Sequence, residues 1–132
     1  MIKIRNESPL IMVADRDEME RAQLKAVLKL KGFRVLEAAN APEALELAVQ
    51  HRPDLLLLDL KLPRLRSSEA LWLIRREPCL RKMPIIAVSN HDSKNRQIPL
   101  DPLTVQASRP IEFARLDLYL NQFLPQTRSF AA

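Results

Sequence analysis

His51–Pro63 reads HRPDLLLLDLKLP. Four consecutive leucines bounded by aspartates suggest a strand buried on both faces, as in the centre of a parallel sheet. Similar short apolar runs lie on either side, at Leu10–Ala14, Phe33–Ala38, Pro84–Ser89 and, more weakly, Leu103–Ala107. Stretches with helical periodicity separate most of them. Alternation of this kind predicts an α/β fold, a doubly wound five-stranded parallel sheet with helices on both faces.

The intervening helices carry their own punctuation. Asp15–Lys31 reads as a helix with Met19, Ala22, Ala26, Val27 and Leu30 on one broad inward arc. Arg21, Lys25 and Lys29 then form a solvent strip, and Gly32, the chain's only glycine, suits a left-handed C-cap. Asn40 caps a second helix, with Pro42 in its first turn and Glu43 completing a capping box. Ala44, Leu45, Ala48 and Val49 face inward there, and His51-Arg52-Pro53 ends it. Ser67 or Ser68 caps a third helix to about Arg76, with Leu71 and Ile74 inward. The last helix, Ile111–Leu124, buries Phe113, Leu116, Leu120, Phe123 and Leu124. Between Ser89 and the fifth strand, NHDSKNRQIPLDPL holds Pro99 and Pro102. It predicts a short turn or loop, so the fourth of five βα units has a shortened or missing helix. PQTRSFAA at 125–132 reads as a flexible tail after a core of about 9–124.

Composition narrows the functional classes. The chain has 132 residues, 47% of them apolar and 28% charged, which suits one globular domain. No apolar run approaches the roughly 18 residues of a membrane span, and MIKIRNESPL has no signal-peptide core. The single cysteine, Cys79, cannot form an internal disulfide, so a cytoplasmic location is expected. Net charge is +5, but the basic residues are dispersed and aromatics are only 5%, which argues against nucleic-acid binding. Neither GxGxxG nor GxxxxGK[ST] occurs, so the common nucleotide-binding loops are absent. His51 and His91 lack the paired spacing of a metal motif. Trp72 and Cys79 read as packing or surface residues.

In open parallel sheets, sites lie at the carboxyl ends of strands. That rule selects VADRDE (Val13–Glu18), Asp59, Ser89 and Ser108-Arg109-Pro110. Together with HRPDLLLLDLKLP and MPIIAVS, these stretches resemble the receiver domain of two-component response regulators over about residues 9–124.

The resemblance implies that Asp59 occupies the position that accepts a phosphoryl group from a histidine kinase. A carboxylate there attacks phosphorus in line, and Mg2+ neutralises the converging oxygens. The implied metal ligands are Asp15, Asp59 and the Lys61 backbone carbonyl. Ser89 matches the strand-four hydroxyl. Three positions depart from the family pattern. Arg16 stands where a second acid is usual, Arg109 replaces the strand-five lysine before Pro110, and Ser67 replaces a glycine. Asp17 and Glu18 are displaced along the chain and are no automatic substitutes for the missing acid.

A guanidinium about 4 Å from a carboxylate attracts it by roughly 4 kcal/mol at an effective dielectric of about 20. Arg16, paired with Asp59 or Asp15, would therefore supply a built-in cation and impair Mg2+ binding. The preferred expectation is a receiver that signals through protein–protein contacts, with weak or absent phosphorylation at Asp59. The alternative is a fully competent phosphoacceptor with Arg16 turned to water. An enzyme on a similar fold, such as a flavin or nucleotide binder, lacks both a glycine-rich loop and a clustered acid/base pair. Implied partners are a histidine kinase or phosphotransfer protein and a downstream signalling protein. Ile111 and Leu118 lie off the last helix's main stripe. They either add an apolar patch for homodimerisation or meet the IPLDPL segment.

Overall fold

The computed structural model describes residues 8–64, 67–89 and 101–124. Along the chain lie β1 (Leu10–Ala14), α1 (Glu18–Leu30), β2 (Arg34–Ala38), α2 (Ala41–His51) and β3 (Leu55–Asp59). They are followed by α3 (Ser67–Arg76), a 3-10 turn (Pro78–Leu80), β4 (Ile85–Ser89), β5 (Thr104–Ser108) and α4 (Phe113–Phe123). The five strands form one sheet in the order β2-β1-β3-β4-β5, and every pairing is parallel.

The leucine run explains the layering. Successive strand residues point to opposite faces. Leu56 and Leu58 join Met12, Ala14 and Ile85 in a core closed by Ala44 and Ala48 of α2 and Leu71 and Ile74 of α3. Leu55 and Leu57 join Ile11, Val13 and Ile86 in a second core, closed by Leu28 of α1 and by Leu116 and Leu120 of α4. Fully burying one leucine contributes about 2 kcal/mol, so a strand with four of them commits the chain to covering both faces.

Asn40 with Glu43, and Gly32, produce the expected local structure, whereas Ser67 and Ser68, expected as caps, lie inside α3. Asn40 accepts the Glu43 N–H at 2.9 Å, and Glu43 returns a bond to the Ala39 N–H at 2.7 Å. Gly32 takes φ 95° just past α1, where a side chain would be strained. Arg52, with φ 47°, turns the chain out of α2.

Three helix-face expectations need correction. α1 begins at Glu18, not Asp15, because Asp17 is its N-cap and accepts the Met19 and Glu20 N–H groups. Its inward row is Leu24 and Leu28, while Met19 is 71% and Leu30 is 89% exposed. Arg21 and Lys25 are not a solvent strip, since both pair with Glu37 on β2. Apolar residues occur at two phases around this helix, and the Glu37 pairs together with the docked Leu28 select one of them. In α2, Val49 faces solvent while Ala44 and Ala48 are buried. In α4, Phe113 is 60% exposed beyond the sheet end, whereas Leu116, Leu120 and Leu124 are buried.

The last predicted helix is present as α4. The expectation of a shortened or missing helix between β4 and β5 falls mainly on residues 90–100, which lie outside the described residues, as do His91 and the 125–132 tail. Among the described residues, no helix is long and apolar enough to cross a membrane.

Candidate functional site

Strand register brings the selected residues to one edge. Ala14 pairs with Leu58, so Asp15 and Asp59, one residue further on, emerge side by side. Asp59 pairs with Val88, and Ser89 with Ser108, which places Ser89 and Arg109 at the neighbouring strand ends. The Arg109 N–H donates to the Ser89 carbonyl at 2.8 Å and extends that ladder by one bond.

Both aspartates are buried and held by the backbone. Asp59 Oδ1 accepts the Lys61 N–H at 2.9 Å, and Oδ2 accepts the Arg16 N–H at 3.2 Å. Asp15 Oδ1 accepts the Asp17 N–H at 2.8 Å. Arg21 reaches back from α1 and donates Nη1 to the Asp15 carbonyl at 2.7 Å. Burial pushes the Asp59 carboxyl above its ordinary value of 3.8, and the nearby Asp15 charge adds to that. The Lys61 and Arg16 N–H groups and the Arg16 charge oppose the shift without reversing it.

The guanidinium between the carboxylates belongs to Arg109. Its Nη2 lies 3.0 Å from Asp15 Oδ2 and 2.9 Å from Asp59 Oδ1. Its Nη1 forms an ion pair with Glu20 Oε2. Although these contacts are close, the buried Nη2 has no aligned hydrogen bond. It acts as a positive charge shared by two acceptors rather than as a directed donor. Arg16 approaches only from the rim, with Nε 3.8 Å from Asp59 Oδ2 and a side chain 46% exposed. Its backbone N–H is its closer tie to Asp59. Three carboxylates (Asp15, Glu20, Asp59) against two guanidinium groups leave the cluster one charge negative.

Mg2+ takes oxygen ligands in near-octahedral order at about 2.0–2.1 Å. The two carboxylates that would supply them converge instead on one guanidinium nitrogen, and in this arrangement the donor set does not fit a divalent ion. Among the described residues, no group of three or more His, Cys, Asp or Glu is placed to hold a metal.

Sequence reasoning identified Asp15, Asp59, Ser89 and Arg109 as neighbours, and the structure brings them to one edge. It missed Glu20 and Arg21, whose positions depend on the phase of α1. No local motif marks either residue. Beside the cluster, a cavity of about 490 Å3 opens between α1 and the loop after β5, lined in part by Glu20, Leu24, Val27, Arg109 and Phe113. Cys79 and His51 are exposed.

Comparisons with known proteins agree with this architecture. The family model described as response regulator receiver domain matches residues 11–101. The polar-differentiation response regulator DivK of Brucella anthropi is 28% identical over 116 residues, 86% of this chain and 94% of that protein. Its counterpart in Brucella ovis is 26% identical over the same shares. Among solved structures, the receiver domain of a sensor histidine kinase from Pseudomonas aeruginosa PAO1, with a magnesium ion coordinated in its active site cleft, superposes with a TM-score of 0.79. It is 23% identical and covers 90% of this chain and 99% of that one. A response regulator receiver domain from Clostridium thermocellum gives a TM-score of 0.79 at 20% identity, covering 91% and 97%. At these identities the structural likenesses establish the fold.

Proposed function

The chain belongs to the response regulator receiver domain family, and from that premise we propose that it is an atypical receiver. It acts in two-component phosphorelay signalling through protein–protein contacts, with impaired Mg2+ binding and weak or absent phosphorylation at Asp59. Its partners are a histidine kinase or phosphotransfer protein upstream and a signalling protein downstream, in the cytoplasm. Residues 1–132 form one receiver-like domain in this reading.

The supporting observation is Arg109 Nη2, placed 3.0 Å and 2.9 Å from the two carboxylates that would otherwise ligate a metal. Phosphoryl transfer to a carboxylate depends on neutralising the oxygens that gather around phosphorus. In this chain the positive charge at that place already belongs to a side chain. Backbone N–H groups engage both Asp59 oxygens, the atoms that would attack phosphorus. The relatives named as DivK and the magnesium-bound receiver from Pseudomonas show what the family does elsewhere. In this reading Arg16, Arg109 and Ser67 are the positions at which this chain departs from the family pattern.

One observation favours the competent phosphoacceptor. The Arg16 side chain is 46% exposed and only 3.8 Å from Asp59, so moving it into water costs little. Incubation with Mg2+ and a small phosphodonor, followed by intact-mass measurement, separates the two readings. The expected result is no stable gain of a phosphoryl group. A gain that disappears in Asp59→Ala would establish the competent receiver instead. Beryllofluoride binding gives a second readout.

A further inference from the structure

We propose that Glu20 is a positioning residue that clamps Arg109 across Asp15 and Asp59, making the guanidinium the site's resident cation and keeping a divalent ion out. The inference rests on the receiver reading and concerns what holds the arginine in place.

Glu20 lies in the first turn of α1, and its carboxylate pairs with Arg109 Nη1, while Nη2 meets Asp15 and Asp59. Both terminal nitrogens of Arg109 are thereby engaged. One terminal nitrogen lies between the two site carboxylates, and the other is tied to a helix on the adjoining layer. A guanidinium prefers a flat two-point pairing with one carboxylate. Here three carboxylates share it, and the buried Nη2 has no aligned hydrogen bond. Pairing alone would let the fork rotate toward whichever carboxylate best fits it. The Glu20 grip explains why it stays centred. The adjoining cavity of about 490 Å3, with Glu20 on its wall, supplies the volume into which Arg109 can swing once released.

The clamp can be told apart from simple charge balance. Glu20→Gln removes a negative charge from the cluster, so bulk electrostatics alone would weaken binding of a dication. Release of Arg109 would strengthen it. Arg109→Lys keeps a point charge but has no second terminus for Glu20 to hold.

The test is calorimetric titration of Mg2+ and Mn2+ into the full chain, the Glu20→Gln and Arg109→Lys variants, and the double variant. Thermal unfolding confirms that each is folded. Wild type should bind weakly, and Glu20→Gln should bind about tenfold more tightly, within the usual coupling range of contacting residues. In the Arg109→Lys background, Glu20→Gln should add nothing. Weak wild-type binding with no gain in Glu20→Gln, or a gain that persists in the Arg109→Lys background, would overturn the clamp and leave the impaired-metal reading standing. Tight binding by the wild type would overturn both.

Discussion

Two arginines stand at opposite edges of the sheet and are satisfied in opposite ways. Arg75, on α3, serves the amino edge. Its Nε donates to Asp101 at 2.7 Å, its Nη1 to the Leu80 and Met83 carbonyls at 3.0 and 2.6 Å, and its Nη2 to Thr104 Oγ1 at 3.0 Å. Every arm of its fork meets a directed acceptor, and the residue ties α3 to the starts of β4 and β5. Arg109, at the carboxyl edge, is surrounded by charge yet leaves its buried Nη2 without an aligned hydrogen bond. A saturated fork holds structure in place. An unsaturated one is held by charge rather than by directed bonds, so its place depends on the carboxylates around it.

The largest effect should come from Arg75. Arg75→Ala takes a donor from three carbonyls (Leu80, Arg81 and Met83), the Thr104 hydroxyl and the Asp101 carboxylate, and should cost about 3 kcal/mol in urea unfolding. Arg109→Gln should cost clearly less, about 1–2 kcal/mol at neutral pH, because backbone N–H groups still hold both aspartates. That smaller loss should shrink on acidification, as Asp59 takes up a proton and repulsion with Asp15 fades. Equal losses in the two variants would break the distinction between them.

The smallest effects carry the sharpest contrast, because the two edges should respond to pH with opposite sign. The folded protein raises the pKa of Asp59, so this residue contributes stability that is present below the ordinary value of 3.8 and is lost as pH rises through the folded pKa. Asp59→Asn should therefore raise Tm at neutral pH by a few degrees, corresponding to about 1 kcal/mol. For Asp101, burial pulls upward, but hydrogen bonds from Arg75, the Leu103 N–H and Thr104 together hold the carboxyl below 3.8. Its contribution is present above that value and is lost as pH falls through the folded pKa. Asp101→Asn should lower Tm at neutral pH and converge with wild type in acid. Melting curves across pH for both variants check the signs.

Much of the fold was legible from the punctuation. The leucine run required burial on two faces. Asn40 with Glu43, and Gly32, act through neighbours a few residues away, so their geometry is written locally. The phase of α1 was not legible. Met19, Ala26 and Leu30 make a plausible inward arc by periodicity, but Glu37 on β2 and the packing of Leu28 turn the helix the other way. The site divides along the same line. Asp15 and Asp59 had to be neighbours once both ended adjacent parallel strands. Which arginine stands between them did not follow.

Sequence alone determined the strand ends, and with them the carboxylates, the hydroxyl and the two guanidinium groups that meet at the edge. Strand direction and alternation are properties of consecutive residues. Only the tertiary structure decided that Arg109 sits between the aspartates, that Arg16 serves Asp59 chiefly through its backbone N–H, and that Glu20 meets the other terminal nitrogen of Arg109. Those outcomes depend on the rotation of α1 against the sheet and on where long, flexible side chains find opposite charge across elements far apart in the chain.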